Sequence, residues 1–315
     1  MPKNTWSLLT PPNMGAIAII QIVGDVQPVL CKLTNRSTWK HGNLYLVDID
    51  GIDEVLAVQI DDRLAQVMPH GGVHILRKLT ERFEELDVVE IDEPQFPEAG
   101  DSIEAQMLAV LAVADSPLAV ELLLSQPAKL LGASCSQTDA TRSQTLNHLI
   151  TPPKVVLLGS PNTGKSTLMN ALTKQDTSIV HDLPGATRDA VGARINCGGL
   201  VLDLFDLPGF RDSEDAIEQE AISIAKNIAK EATLTILIAD AEHDWLTKTG
   251  IDTTSIKVAT KADCHKRDDA DICVSAHTGE NMQQLAVIIR DAIVPAEVLQ
   301  DEGPWFFPGY SPTEE

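Results

Sequence analysis

Residues 154–166 read KVVLLGSPNTGKS. The apolar run Lys154–Leu158 has the pattern of a short buried strand, and it runs straight into a glycine-bounded loop that matches G-x-x-x-x-G-K-S. A helical pattern follows from about Ser166 to Leu172. Strand, loop and helix in that order form a phosphate cradle: the loop's amides and the helix N-terminus point at anionic oxygens. Asn162, Thr163, Gly164, Lys165, Ser166 and Thr167 are therefore expected to contact a nucleotide. Lys165 would neutralise the β- and γ-phosphates, and the Ser166 hydroxyl would ligate Mg²⁺. A chance glycine turn is the competing reading, and the flanking strand and helix argue against it.

Working outward, residues 154–294 alternate apolar strands with helical stretches, the pattern of a mostly parallel α/β sheet. Strands are expected at 154–158, 190–197, 200–205, 234–239, 256–259 and 272–275. Cys197-Gly198-Gly199 is a turn that makes the second and third antiparallel. Asp206-Leu207-Pro208-Gly209 ends the third strand, where a carboxylate can serve Mg²⁺ and the Gly209 amide can reach a γ-phosphate. Thr260-Lys261-Ala262-Asp263 ends the fifth. A carboxylate at Asp263 accepts two hydrogen bonds from guanine, a pair adenine cannot supply, so the loop reads as a guanine site. The Lys261 stem would pack along the base, and Ser275-Ala276 after the next strand would complete the pocket. Thr187, in the polar segment 185–189, could complete the Mg²⁺ shell. Each of these shorter motifs alone is an ordinary turn; their order after a phosphate loop carries the reading.

The remainder divides into parts. Residues 1–94 suggest a small α+β domain: a strand within 15–23, a hairpin of 43–49 and 54–60 about Asp50-Gly51, a helix after His70-Gly71-Gly72 with Val73, Leu76, Leu79 and Phe83 on one face, and a strand at 86–91. Residues 95–150 suggest a short helical segment and linker, with Ile103, Met107, Leu108 and Leu111 on one helix and Leu118 and Leu122 on a second. The Ser/Thr/Gln-rich stretch 134–153 reads as the linker. The α/β domain is expected at 151–298, and the proline-rich 299–315 as a disordered tail.

Composition excludes several classes. With 43% apolar residues the chain can build real cores, and its net charge of -22 disfavours a broad nucleic-acid surface. Ten carboxylates between Glu81 and Glu104 face a single Arg82, a pattern most simply read as a solvated face. Five cysteines at irregular spacing indicate neither a disulfide framework nor a zinc site and fit a cytoplasmic protein. The apolar stretch 107–124 is too interrupted to span a membrane.

The order and spacing of these elements resemble GTPases of the TrmE–Era–EngA group, and within it the MnmE (TrmE) family. TPPNMGAIAIIQIVG (10–24), PHGGVHILRKL (69–79) and SIVHDLPGATRDAV (178–191) carry the likeness beyond the phosphate loop. The resemblance implies an enzyme that hydrolyses GTP to GDP and phosphate with Mg²⁺ at Ser166, Thr187 and Asp206. It also implies K⁺ beside the phosphates at Asn162, and a catalytic glutamate twelve residues beyond Asp206, at Glu218. A homodimer through the N-terminal domain, a tRNA or MnmG-like partner and a link to wobble-uridine modification follow from the same resemblance. So does formyl-tetrahydrofolate in that domain. The chain departs from the family where the folate site is built: the family arginine is replaced by Met14, and the family's segments on either side of His70-Gly71-Gly72 are not recognisable. A regulatory GTP switch and a ribosome-assembly GTPase stay open as alternatives.

Overall fold

The computed structural model describes residues 4–10, 16–92, 95–175, 191–207, 227–246 and 253–310. The chain forms two compact units that part between Ala112 and Val113.

The first unit is built on a six-stranded sheet. Its strands are β1 (Asn4–Leu8), β2 (Ile20–Gly24), β3 (Leu44–Ile49), β4 (Asp53–Gln59), β5 (Leu64–Met68) and β6 (Val88–Glu90), in the order β3-β4-β5-β2-β1-β6. The expected hairpin is β3–β4, with Asp50 and Gly51 at φ 48° and 70° supplying the turn. Helices α1 (Val26–Thr34) and α2 (Val73–Glu85) contribute Leu30, Leu33, Leu79 and Phe83 to the core, where Phe83 stacks on Trp6 with ring centroids 5.1 Å apart. The expected apolar face of α2 is only half right: Leu79 and Phe83 are buried, whereas Val73, in the first turn, is 62% exposed. Helix α3 (Ser102–Leu111), capped by the Asp101 carboxylate, buries Ile103, Met107 and Val110, so Val110 takes a place expected of Leu108 or Leu111.

In the second unit the strands are β7 (Lys154–Gly159), β8 (Val191–Cys197), β9 (Leu200–Asp206), β10 (Leu234–Ala239), β11 (Thr254–Ala259) and β12 (Ile272–Cys273), ordered β12-β11-β10-β7-β9-β8. All neighbours run parallel except β8–β9, as the glycine turn requires. The central strands are buried nearly throughout, and their sequences are accordingly near-continuous Val, Leu and Ile. Two expectations fail here. The supposed linker contains a helix, α6 (Gln137–Leu146), after α4 (Leu118–Leu124) and α5 (Gln126–Leu130). Ser136 and Asp139 close a reciprocal capping box at its start, and its buried face is Arg142, Ser143 and Leu146, which no apolar count would find. On α4 the buried pair is Ala119 and Leu123, with Leu118 and Leu122 half-buried.

The second failure is the supposed tail. After α7 (Lys165–Gln175), α8 (Met282–Ile293) and α9 (Ala296–Gln300), residues 301–310 lie along α5 and α6. Trp305 is fully buried, its amide donating to Gln126 Oε1 at 2.7 Å and its indole N–H to Asn147 Oδ1 at 3.0 Å. The Phe306 amide donates to Ser143 Oγ at 2.9 Å, and the Arg142 guanidinium bonds the Asp301 carboxylate and the Pro304 carbonyl. Two large aromatics, Trp305 and Phe307, outweigh the local proline content. No helix among the described residues is long and apolar enough to cross a membrane.

Candidate functional site

Parallel pairing brings the carboxyl ends of β7, β9, β10, β11 and β12 to one edge of the sheet. The register sets Gly159 opposite Ile238, Leu157 opposite Asp206 and Ala259 opposite both Ala239 and Cys273. The phosphate loop, Asp206, Thr260 and the turn after β12 therefore lie along the same edge, where ligands bind in open α/β sheets.

The phosphate loop is held by contacts only small residues permit. A Cβ on Gly159 would stand 2.4 Å from the Ile238 carbonyl oxygen, and Gly164 takes φ 87°. Thr163, fully buried, donates its hydroxyl to the Ser160 carbonyl at 2.8 Å and closes the loop on itself. Lys165 Nζ lies against the loop's own carbonyls, 2.9 Å from Gly159 O and 3.2 Å from Ser160 O. Its ammonium thus sits on the phosphate loop itself, bonded to two of the loop's carbonyls. Ser166, in the first turn of α7, donates to Asp206 Oδ2 at 2.7 Å. Those two residues are forty positions apart, and a hydroxyl beside a carboxylate is the hard-oxygen pair a small divalent cation takes, so the donor set suits Mg²⁺. Thr167 is exposed on the same helical turn.

The base loop is strapped to the phosphate loop. Thr260 Oγ1 donates to the Thr163 carbonyl at 2.5 Å, and Lys261 Nζ reaches the Asn162 carbonyl at 3.1 Å. Asn162 is exposed and adopts φ 65°, a left-handed conformation that asparagine tolerates. Asp263 is exposed beside buried Ser275, whose hydroxyl holds the Asp263 carboxyl below its ordinary range. The Cys264 thiol, 3.6 Å from Asp263 Oδ2, adds to that effect and is itself pushed up by the neighbouring carboxylate. Ala276 is half-buried in the adjoining loop. An ionised carboxylate at the mouth of this crevice is what recognition of guanine needs.

One residue was not foreseen. Asp240, buried at the end of β10, accepts from Lys261 Nζ and His243 Nδ1, each at 2.6 Å. Burial alone would raise its carboxyl, but the bonds from Lys261 and His243 outweigh that and hold it far below the usual carboxylate range. Lys261 is raised by the same contact. The signal was available: a carboxylate closing a parallel strand faces the ligand edge by the rule that picked out Asp206.

The structure thus unites Asn162, Thr163, Gly164, Lys165, Ser166, Thr167, Asp206, Thr260, Lys261, Asp263, Ser275 and Ala276 at one edge. Thr187, Gly209 and Glu218 lie outside the described residues.

The chain has recognisable likenesses among known proteins. A family model described as a 50S ribosome-binding GTPase matches residues 154–270. The tRNA modification GTPase MnmE of Acidiphilium cryptum is 37% identical over 204 residues, 64% of this chain and 46% of that protein. MnmE of Fervidobacterium nodosum is 25% identical over 378 residues, covering 94% of this chain and 81% of that protein. Among solved structures, the G domain of the T. maritima FeoB iron transporter is 28% identical over 44% of this chain and 98% of its own, with a TM-score of 0.36. The sheet order and the phosphate loop together define the fold of P-loop GTPases. Within that class the chain is similar to tRNA modification GTPases named MnmE, along 94% of its length in the F. nodosum case. It spans a little under half the length of the first of these relatives, at 46%.

Proposed function

We propose that the chain binds GTP and hydrolyses it to GDP and phosphate, with Mg²⁺ held by Ser166 and Asp206. The 2.7 Å bond between those two side chains, at the edge that also carries Asp263, supports the reading best. Lys165 and the loop amides would bind and orient the β- and γ-phosphates, while Asp263 selects guanine. When bound, the divalent cation would supply charge neutralisation between the β- and γ-oxygens.

Thr187, Gly209 and Glu218 are assigned by resemblance as switch threonine, γ-phosphate amide and catalytic glutamate. Asn162 is assigned a K⁺ ion in the same way, in a mainly electrostatic mechanism. A role in tRNA modification is proposed from the names of the relatives, together with a homodimer through the N-terminal unit and a tRNA or MnmG-like partner. Formyl-tetrahydrofolate binding in that unit is the finer part of the proposal, tested by calorimetry.

The deciding assay measures phosphate release from GTP and ATP, in K⁺ and in Na⁺. Turnover of GTP well above ATP, and more than tenfold faster in K⁺ than in Na⁺, is expected. Equal rates in both salts remove the ion from Asn162, and equal rates for both nucleotides remove guanine selection from Asp263.

A further inference from the structure

We propose that Asp240 is a positioning residue that couples the phosphate loop to the base loop by holding Lys261. The inference rests on reading this crevice as the GTP site and adds a residue to it.

Lys261 has two anchors of different character. Its ammonium meets the Asn162 carbonyl at 3.1 Å and the Asp240 carboxylate at 2.6 Å. The carboxylate bond is shorter and charge-assisted, so it fixes the side chain, and the carbonyl bond then transmits that position to the phosphate loop. Both residues joined in this way, Lys261 and Asn162, take left-handed backbone, with φ 60° and 65°. Asparagine tolerates that conformation, but a lysine is strained in it and needs neighbours to hold it there, and Lys261 Nζ is the contact that reaches from one to the other.

Asp240 is itself held firmly. Its Oδ1 accepts from the Glu242 amide at 3.0 Å, the His243 amide at 3.1 Å and His243 Nδ1 at 2.6 Å, leaving Oδ2 for Lys261. Arg267 donates to the Asp240 carbonyl at 2.8 Å and the His243 carbonyl at 2.6 Å, and its guanidinium lies 4.6 Å from the Trp245 ring centroid. The two carboxylate oxygens therefore have separable roles: Oδ1 shapes the turn and Oδ2 sets the lysine.

That separation makes a test. Asp240→Asn preserves shape and an oxygen for the turn while removing the charge that holds Lys261. Dissociation of a fluorescent GDP from the full chain is measured for wild type, Asp240→Asn, Lys261→Met and the double variant, with apo thermal unfolding alongside. Asp240→Asn is expected to speed release by about 10- to 100-fold. In the Lys261→Met background it should change release by less than about twofold, because the two act as one unit. Asp240→Glu, which keeps the charge, should recover part of the loss. Additive effects in the two backgrounds overturn the proposal. So does loss of the apo fold in Asp240→Asn, which would make the residue structural. A wild-type chain that does not bind GDP sinks the GTP reading and this proposal together, whereas tight binding with an additive cycle sinks the coupling alone.

Discussion

Gly159→Ala is the most direct probe of the phosphate loop. The added methyl would stand 2.4 Å from the Ile238 carbonyl oxygen and 3.1 Å from Thr163 Oγ1. Non-bonded carbon and oxygen need roughly 3.4 Å, so one backbone must give by about 1 Å. Neither yields easily, because Ile238 pairs with Gly159 in the parallel ladder at the centre of the sheet. Overpacking of this kind costs about 1–3 kcal/mol, and a backbone-on-backbone clash belongs at the upper end. For a unit of about 200 residues, some 3 kcal/mol lowers the melting temperature by about 6–12 °C. The second consequence is chemical. A shift of that size at the first loop residue moves the carbonyl that Lys165 touches, and a 1 Å misplacement of a binding group can cost on the order of 10²-fold. The assay pairs thermal unfolding with fluorescent-GDP affinity. Gly42→Ala serves as control, since Gly42 has φ 71° with nothing near its missing Cβ, and it should strain the first unit without touching nucleotide affinity. Wild-type melting and wild-type affinity in Gly159→Ala would refute the argument that the loop needs a bare backbone here.

Asp263→Asn should reverse the donor–acceptor pattern at the base, lowering GTP affinity by roughly 10²–10⁴-fold and favouring xanthosine triphosphate; competition against fluorescent GDP reads both, and retained GTP preference would misplace the base. Because Ser275 depresses the Asp263 carboxyl, the acceptor stays ionised as pH falls, so the preference for GDP over ADP, in which the titration of the phosphates cancels, should be flat from about pH 8 to 5 and weaken only below the ordinary carboxylate range. A titration showing loss near pH 6 would count against that. Trp305→Ala should cost about 3–5 kcal/mol and unseat residues 301–310, seen as a lower melting temperature and new protease cleavage there; an unchanged melt would mean the segment does not hold the helices beneath it.

How much the sequence disclosed depended on what kind of constraint each segment carries. Gly159, Gly164, Lys165 and Ser166 were legible because main-chain geometry at a phosphate allows few residue types, and fixed spacing follows from that. The strands 154–159 and 234–239 were legible because burial on both faces demands unbroken apolar runs. Helix α6 was hidden because its buried face uses a paired arginine and a serine, and its one local signal was the capping box at Ser136 and Asp139. Segment 301–310 was hidden because Trp305 and Phe307 lie in a run too short to show a period, closed in by Gly303, Pro304, Pro308 and Gly309, and their burial depends on helices more than a hundred residues away. Asp240 was missed for a different reason: a lone aspartate is common, and only its partners mark it.

Those partners suggest how the crevice is prepared for its ligand. Among the described residues Lys165 Nζ bonds two uncharged carbonyls, so on displacing them for a phosphate oxygen it exchanges dipoles for a full opposite charge. Lys261, by contrast, is already matched to a buried carboxylate, and a ligand charge offers it nothing better. The two lysines of the site therefore divide the work. The loosely satisfied one is free to follow phosphate, and the tightly satisfied one is fixed as scaffold between loop and base. This asymmetry predicts that raising ionic strength weakens the phosphate contribution to binding far more than it weakens base selectivity, since salt competes with the ligand's charge for Lys165, whereas the half-exposed Lys261 ammonium keeps its partner within the protein, the buried Asp240 carboxylate. Affinities for GTP, GDP and guanosine at low and high salt would show it. Guanosine binding should hold nearly constant while the triphosphate loses affinity, and a parallel loss in both would place Lys261 among the mobile charges instead.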